Sequence, residues 1–180
     1  AGFEAAHGLV RGAPGSELSA KVFGEYFPNP VAGVPLEQQY AALSEFQAML
    51  AECLGTAVLA CMVFALTDAA DTERPPAGLA APFIGLTVGA VIMVVGPLTQ
   101  AGLNPARDFG PRLFAWLVGW GAIAIPGPRG GFFTVYILSP VAGALAGAAL
   151  YQFGLRPRHA RPAATGASEA VAPSCEAGGE

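Results

Sequence analysis

Three apolar runs in the sequence are each long enough to cross a lipid bilayer as a helix. They cover about residues 46–67, 79–98 and 131–153, and a transmembrane helix needs about 20 predominantly apolar residues. The second and third runs contain no charged residue, and the first contains only Glu52. This pattern predicts an all-α membrane protein with three transmembrane helices in the lipid bilayer.

The composition narrows the function classes. Charged types make up 12% of the 180 residues, where an average soluble domain has about 25%. The net charge of −4 argues against a nucleic-acid surface, so no nucleic-acid partner is expected. Cys53 and Cys61 would lie about 12 Å apart along one helix, which is too far for a disulfide. With His7 and His159 as the only histidines, we expect no metal site, no cofactor and no catalytic residues, so an enzyme is not predicted.

The segments outside the runs predict an orientation. Residues 1–44 are rich in Gly and Pro and predict a loop segment. Residues 156–180 have little apolar content and predict a disordered tail. Three arginines directly after the third run favour a cytoplasmic side for this tail, which places residues 1–44 on the extracytoplasmic side.

Two pairs of glycines lie inside the apolar runs at a spacing of four residues. These are Gly85 with Gly89 and Gly143 with Gly147. Small residues at this spacing allow two helices to approach closely in lipid, although the pattern also occurs by chance.

The segment between the second and third runs contains a helix start at an unusual place. Asn104 is followed by Pro105; Asn caps free backbone N–H groups and Pro suits the first helical position. The pair predicts a half-helix over about residues 105–115. A short re-entrant helix is tolerated at membrane depth where its backbone is buried in protein or lines a cavity, and its N-terminus there offers N–H donors.

Charged residues follow this helix start, namely Arg107, Asp108 and Arg112. At membrane depth each of them needs a partner or water. The alternative interpretation makes residues 99–112 an exposed interfacial loop whose charges are solvated, with residues 113–128 as a helix on the membrane surface.

Residues 102–113 read GLNPARDFGPRL and closely resemble the second Asn-Pro-Ala signature of the aquaporin superfamily, in particular its glycerol-facilitator branch. The resemblance extends over roughly residues 3–155. It implies that residues 45–155 form the second half-repeat of an aquaporin-like fold, with three transmembrane helices plus one re-entrant half-helix. The family pore uses two inverted repeats, and the first channel half is missing from this sequence. Asn29-Pro30 is no substitute for the first signature, because it lies in an irregular loop.

The resemblance implies a set of pore positions. Asn104 would point its amide into the pore, Pro105 and Ala106 would form the tip of the half-helix, and Arg107 would be the filter arginine. The full set is Asn104, Pro105, Ala106, Arg107, Ala101, Ile92, Gln100 and Gly102. In this set the backbone carbonyls of residues 100–102 would line the approach as acceptors.

Ala101 and Ile92 stand at the other filter positions of this repeat, six and fifteen residues before Arg107. Glycerol facilitators commonly have an aromatic residue at the first of these positions, so Ala101 departs from the branch and should widen that wall. Tyr136 also differs from the glycerol type, and a core tyrosine oriented to lipid headgroups is the simpler interpretation of it.

Glu52 and Asp108 are implied as structural support. In the family a buried Glu accepts hydrogen bonds from the re-entrant loop; the alternative for Glu52 is a residue near a helix end whose carboxylate extends to the interface. Asp108 is as consistent with packing as with a role in the filter.

The function implied is passive passage of glycerol, with water and other small neutral solutes as further permeants, by the second half of a channel in the cell membrane. The family norm is a homotetramer of such multi-pass subunits. The alternative is a truncated, non-conducting homologue that binds other membrane proteins or is a decayed fragment. A fragment of an unrelated transporter fits the twelve-residue match poorly.

Overall fold

The computed structural model describes residues 2–157, and within this range every regular element is a helix. The α-helices in this part of the chain are α1 (Gly2–Ala6), α2 (Glu17–Ala20), α3 (Leu36–Ala42), α4 (Glu45–Thr67), α5 (Ala77–Thr99), α6 (Pro105–Ala115) and α7 (Ser139–Leu150). Turns of π-helix flank α7 over Thr134–Leu138 and Tyr151–Leu155, and further short helical turns, Trp116–Trp120 and Gly121–Ile123, follow α6. The predicted all-α class is confirmed.

Three of the helices are long and apolar enough to cross a membrane. They are α4, α5 and the continuous helix Thr134–Leu155, with 23, 23 and 22 residues. At 1.5 Å per residue they are about 33–35 Å long, against a hydrocarbon core of about 30 Å. In contrast, α6 has 11 residues and reaches only about 16 Å. The described residues therefore contain three helices long and apolar enough to span a bilayer and one half-length helix, as the sequence predicts.

The two ends of α4 are fixed by polar side chains. At the N-terminus Ser44 Oγ accepts from the backbone N–H of Gln47, and Gln47 Oε1 accepts from the N–H of Ser44 at 2.9 Å. At the C-terminus Asp68 Oδ2 accepts from Arg156 Nε at 2.8 Å and from the Tyr151 hydroxyl at 3.1 Å. The Asp68 contacts join the end of α4 to the end of the third spanning helix.

The helices α4 and α7 pack at close range through glycines. A Cβ atom on Gly143 would overlap the carbonyl group of Cys53, and one on Gly147 would overlap that of Ala57. The Gly85 and Gly89 pair on α5 differs, because a Cβ there would meet no atom of the described residues within 4 Å. Only the pair on α7 therefore serves close packing within residues 2–157.

The N-terminal segment contains more helix than the sequence indicates, because α1, α2 and α3 all lie within residues 1–44. Helices this short do not form stably alone, so tertiary contacts must hold them. Ala20 and Tyr26 pack in one buried cluster with Trp120 and Ile123, and Trp120 Nε1 donates to Ser19 Oγ at 3.1 Å. The segment therefore covers the chain that follows α6.

Two sequence predictions concern the ends of the chain and its cysteines. The predicted disordered tail, residues 156–180, lies outside the described residues except for Arg156 and Pro157. Cys53 and Cys61 both lie on α4 as free thiols.

Candidate functional site

The turn between α5 and α6 has an unusual backbone. Gln100, Ala101 and Leu103 have φ angles of 64°, 58° and 52°, in the left-handed region. A residue other than glycine in that region costs about 1–3 kcal/mol, so the surrounding structure must hold the turn. The N–H of Asn104 donates to the carbonyl of Gly102 at 2.5 Å and closes a three-residue turn around Leu103.

The carboxylate of Glu52, on α4, holds this turn through hydrogen bonds. Its Oε1 accepts from Thr99 Oγ1 at 2.5 Å and from the N–H of Gly102 at 2.9 Å, and its Oε2 accepts from the N–H of Leu103 at 2.7 Å. Glu52 is fully buried and lies well inside α4. The alternative in which its carboxylate extends to the interface is therefore wrong, because the side chain turns inward to the unpaired N–H groups of the turn.

Tyr136 supports the same turn from the third spanning helix. Its hydroxyl donates to the carbonyl of Thr99 at 3.0 Å, and the residue is 2% exposed. A Cβ on Gly102 would lie 2.7 Å from Tyr136 Cδ1, so the ring lies directly against the turn. The expectation of a tyrosine oriented to lipid headgroups is wrong; close packing of this helix on α4 puts the ring inside the protein.

Asn104 caps the N-terminus of α6 and remains exposed. Its Oδ1 accepts from the N–H of Ala106 at 3.0 Å and from that of Arg107 at 3.3 Å. Its Nδ2 has no hydrogen-bond partner among residues 2–157, and Ala106 and Arg107, which follow Pro105, are exposed as well. Capping thus fixes the oxygen of the amide and leaves its two N–H groups available as donors.

The carbonyl groups of the turn divide into two kinds. Within the described part of the chain, the oxygens of Gln100 and Ala101 accept no hydrogen bond from the protein, whereas that of Gly102 accepts from Asn104. A carbonyl oxygen has two lone pairs, so Gly102 keeps one acceptor site. The turn therefore offers unused acceptors in the residues that precede Asn104, whose amide keeps free donors.

The charged residues of α6 have two different environments. The Arg107 side chain is 57% exposed and forms an ion pair with Glu25 of the N-terminal segment. Asp108 and Arg112 are each 1% exposed and pair with each other, with Arg112 Nε 3.0 Å from Asp108 Oδ2. The interpretation of residues 99–112 as a solvated surface loop is wrong, because two of its charges are buried.

Arg112 is the largest fully buried side chain of the described residues. Its Nη1 donates to the carbonyl of Ala124 at 2.8 Å, and Nη2 donates to that of Glu25. The guanidinium carbon lies 4.7 Å from the ring centroid of Tyr26 and 4.8 Å from that of Phe132. These contacts replace the water that a buried charge loses and tie α6 to the segments on both sides.

The N-terminal segment closes over the turn through residues 25–29. The N–H of Tyr26 donates to Gln100 Oε1 at 2.9 Å, and its hydroxyl donates to the carbonyl of Ile123 at 3.1 Å. Burial raises the pKa of Tyr26 to about 12, so its hydroxyl stays protonated at neutral pH. Asn29 donates to the carbonyls of Gly96 and Leu98 at the end of α5, through Nδ2 at 3.1 Å and through its backbone N–H at 2.9 Å.

An open cavity of about 370 Å³ borders the turn at Gln100. Its polar lining comes from Lys21, Glu25, Gln100 and Arg107. Ile92 and Ala101 are not among its lining residues. Ile92 is 45% exposed on α5, whereas Ala101 is 4% exposed and packs with Val91, Val95 and Leu103. The structure thus brings Gln100 and Arg107 together and leaves Ile92 and Ala101 in two other environments.

Sequence reasoning missed Thr99 and Glu25, and it did not assign Tyr136 or Arg112 to the contacts that hold the site. Thr99 and Tyr136 bind the turn, Glu25 pairs with Arg107, and Arg112 lies at the centre of the buried contacts. The available signals were the charge of Glu25, which stands in the aromatic stretch around Tyr26, and the charge of Arg112, one helical turn after Asp108. Neither signal names a partner.

Comparisons with known proteins bear on this arrangement. The sequence model of the family described as Major intrinsic protein matches residues 10–151. The propanediol uptake facilitator of Citrobacter freundii is 43% identical over 153 residues, which cover 84% of this chain and 52% of that protein. The glycerol uptake facilitator protein of Pseudomonas aeruginosa is 42% identical over 170 residues, 93% of this chain and 55% of that protein.

A solved structure resembles the fold. It is the aquaglyceroporin from Plasmodium falciparum, with a TM-score of 0.60 and 15% sequence identity, over 77% of this chain and 52% of that one. The chain spans about half the length of the curated relatives it matches. The predicted resemblance to the glycerol-facilitator branch is confirmed, and so is a half-repeat of the aquaporin-like fold. The chain belongs to the major intrinsic protein family, whose members are membrane proteins.

Proposed function

We propose that this chain is the second half of a channel that passes glycerol, water and other small neutral solutes passively across the cell membrane. The observation that carries the proposal is the re-entrant turn. The turn carries unused carbonyl acceptors at Gln100 and Ala101, Asn104 at its end keeps free amide donors, and Glu52 binds the N–H groups of Gly102 and Leu103.

The chemistry of the turn suits a neutral polyol. A solute that enters a narrow pore loses its hydration, and alternating acceptors and donors replace it. A hydroxyl group both donates and accepts, so it can bind a carbonyl of the turn and the Asn104 amide in succession. The N-terminus of α6 adds the positive end of a helix dipole, which disfavours cations at the same place. No catalytic step is part of the proposal.

The names of the relatives support the solute class. They are facilitators of glycerol uptake and of propanediol uptake, and both solutes are small neutral polyols. In the proposal Arg107, Ile92 and Ala101 form this repeat's part of the filter, and Asp108 supports it through Arg112. Placed in the assembled channel, Ala101 leaves more room than an aromatic residue would.

The rest of the channel is also part of the proposal. A first half supplies the other Asn-Pro-Ala half-helix, and the complete subunits form a homotetramer with one pore each. Residues 1–44 lie outside the cell, and residues 68–78 and the end of the chain lie in the cytoplasm. The exposed apolar side chains of α5, such as Leu86 and Met93, are suited to contact lipid or the first half.

The test is glycerol-driven swelling of liposomes that contain the intact native product that includes this chain. We expect glycerol flux well above that of empty liposomes. Asn104→Asp should lower this flux roughly tenfold or more, because a charge near the bilayer centre costs about 2.5–3.5 kcal/mol on insertion scales. Gln38→Glu makes the same change on the exposed surface of α3 and should leave the flux unchanged. Wild-type flux in Asn104→Asp would contradict the pore assignment.

The second candidate is a non-conducting homologue that binds other membrane proteins. The chain spans about half the length of the curated relatives it matches, so the length of the native product decides between the two candidates. The mass of the native product in membranes distinguishes the two. A product of this chain alone that gives no swelling favours the second candidate, and a product with a second Asn-Pro-Ala half that gives swelling favours the channel.

A further inference from the structure

Glu25 is a buried anion that faces the exposed arginine of the site. The residue is 6% exposed and lies between α2 and α3, next to the turn of residues 100–104. Its carboxyl group forms an ion pair with Arg107, and both residues line the same open cavity. A buried acidic side chain is costly unless it is paired, so the contact with Arg107 offsets the cost of burying the Glu25 carboxylate.

The backbone of Glu25 is held independently of its side chain. Its N–H donates to Asp108 Oδ1 at 2.6 Å, and its carbonyl accepts from Arg112 Nη2. Gly24 leaves room for this contact, because a Cβ there would lie 3.0 Å from Arg112 Nε. The position of Glu25 therefore depends on backbone atoms that any residue at this place provides, and its carboxyl group is free to serve another purpose.

Arg107 has no other anionic partner among residues 2–157. Its guanidinium group forms no hydrogen bond to another described residue, and Asp108 is engaged by Arg112. The remaining cation on the cavity, Lys21, donates from Nζ to the carbonyl of Pro30 at 2.8 Å. Glu25 is therefore the one carboxylate in ion-pair contact with Arg107 among the described residues.

We propose that Glu25 is a positioning residue that sets the charge of the filter. It holds the Arg107 guanidinium beside the N-terminal segment and cancels its charge. The entrance of the pore on this side then passes neutral solutes without attracting anions. The inference rests on the proposed function, because it assigns Glu25 a part in the selectivity of that same pore.

Removal of either partner exposes the charge of the other. Glu25→Gln keeps the backbone contacts and the side-chain size but leaves Arg107 as an uncompensated cation. An uncompensated charge in a cleft raises the local concentration of counter-ions by roughly tenfold or more. Arg107→Ala leaves the opposite charge. The two single variants should therefore leak ions of opposite sign, and the double variant should favour neither.

The experiment measures glycerol flux and ion flux in liposomes that contain the intact native product. Nitrate is the anionic probe and potassium is the cationic probe. We expect Glu25→Gln to raise nitrate flux roughly tenfold over potassium flux. Arg107→Ala should shift the ratio toward potassium, and the double variant should return the nitrate-to-potassium ratio to the wild-type value. A loss of structure alone would leak both ions without preference.

The matched control is Glu17→Gln. Glu17 is a buried acid of the same segment, but it accepts from the N–H of Gly15 and the hydroxyl of Tyr40 and does not line the Arg107 cavity. It should leave the ion ratio unchanged. Wild-type glycerol flux with an unchanged ion ratio in Glu25→Gln overturns the inference alone, as does an anion leak that persists without Arg107. Absence of glycerol flux in the wild-type product overturns the proposed function and the inference with it.

Discussion

Glu52 carries an ionisable group in the middle of an apolar helix, and three donors surround its carboxyl oxygens. The donors are the Thr99 hydroxyl and the N–H groups of Gly102 and Leu103. Because Leu103 has a left-handed backbone, these bonds offset the conformational cost of the turn. At the scale of single residues, the candidate site thus depends on a side chain that lines no pore.

Glu52→Gln tests this support. The Gln oxygen can accept from one N–H of the turn and its amide can donate to Thr99, which leaves the second N–H unsatisfied. An unsatisfied buried donor costs about 1–3 kcal/mol, so we expect a lower unfolding temperature in detergent and lower glycerol flux in the intact product. Glu37→Gln, on the exposed side of α3, is the control. Unaltered stability in Glu52→Gln would show that the turn holds without the carboxyl group.

The helix pair α4 and α7 shows what decides packing at the scale of elements. Both glycine pairs in the sequence have the same spacing, but only Gly143 and Gly147 lie against a neighbouring backbone within the described residues. The approach is close because α7 has no side chain at these two positions. This close packing also brings Tyr136, on the same continuous helix as α7, to the turn that precedes α6.

A matched pair of substitutions separates packing from helix propensity. Gly143→Ala should destabilise the isolated chain in detergent by roughly 1–3 kcal/mol, because its Cβ overlaps the Cys53 carbonyl and forces the helices apart. Gly85→Ala adds the same methyl group where no described atom lies within 4 Å, so it should be neutral or slightly stabilising. Thermal unfolding of both variants checks the expectation, and equal effects would refute it.

The contact between the ends of two spanning helices predicts a pH dependence. The N–H of Ala70, followed by Arg156 and Tyr151, holds the pKa of Asp68 below its ordinary value of 3.8, although partial desolvation opposes them. A lowered pKa in the folded state stabilises the protein above pH 3.8, and this contribution is lost as the pH falls through the lower folded value. Unfolding temperatures between pH 6 and pH 3 should therefore fall more in the wild type than in Asp68→Asn. Equal decreases of the unfolding temperature in the two proteins would contradict a stabilising role for the Asp68 contacts.

The described part of the molecule has polar contacts at both ends of its three spanning helices. The N-terminal segment covers the turn of the candidate site, and the Asp68 cluster lies at the far ends of α4 and the third spanning helix. Three spanning helices, an odd number, separate residues 1–44 from Arg156. If the arginines after Leu155 are cytoplasmic, the candidate filter opens to the outside.

Labelling of introduced cysteines tests this orientation. Val31→Cys and Thr72→Cys both place a thiol at an exposed position, on the N-terminal segment and on the connector between α4 and α5. In intact cells a membrane-impermeant maleimide should label Val31→Cys at once and Thr72→Cys only after lysis. Both substitutions are made in a chain with Cys175→Ser, because Cys175 of the predicted cytoplasmic tail would also react after lysis. This chain without the added cysteine is the background control, since Cys53 and Cys61 lie within a spanning helix. The reverse pattern would invert the topology.

Local sequence signals determined much of this protein. The apolar runs set the number of spanning helices, because lipid requires about 20 apolar residues with internally bonded backbone. Asn104 and Pro105 predicted the start of α6, because capping and the fixed φ of proline depend on neighbours in the chain. The short string around them also carried the family resemblance.

Only the tertiary structure decided which residues meet. Glu25 reaches Arg107 and Arg112 across more than 80 positions, and Tyr136 reaches Thr99 across 37. Nothing in periodicity or spacing encodes such pairs, since they depend on how helices pack. The same holds for the two glycine pairs, which are alike in sequence and differ in use because, among the described residues, the pair on α7 lies against another backbone and the pair on α5 does not.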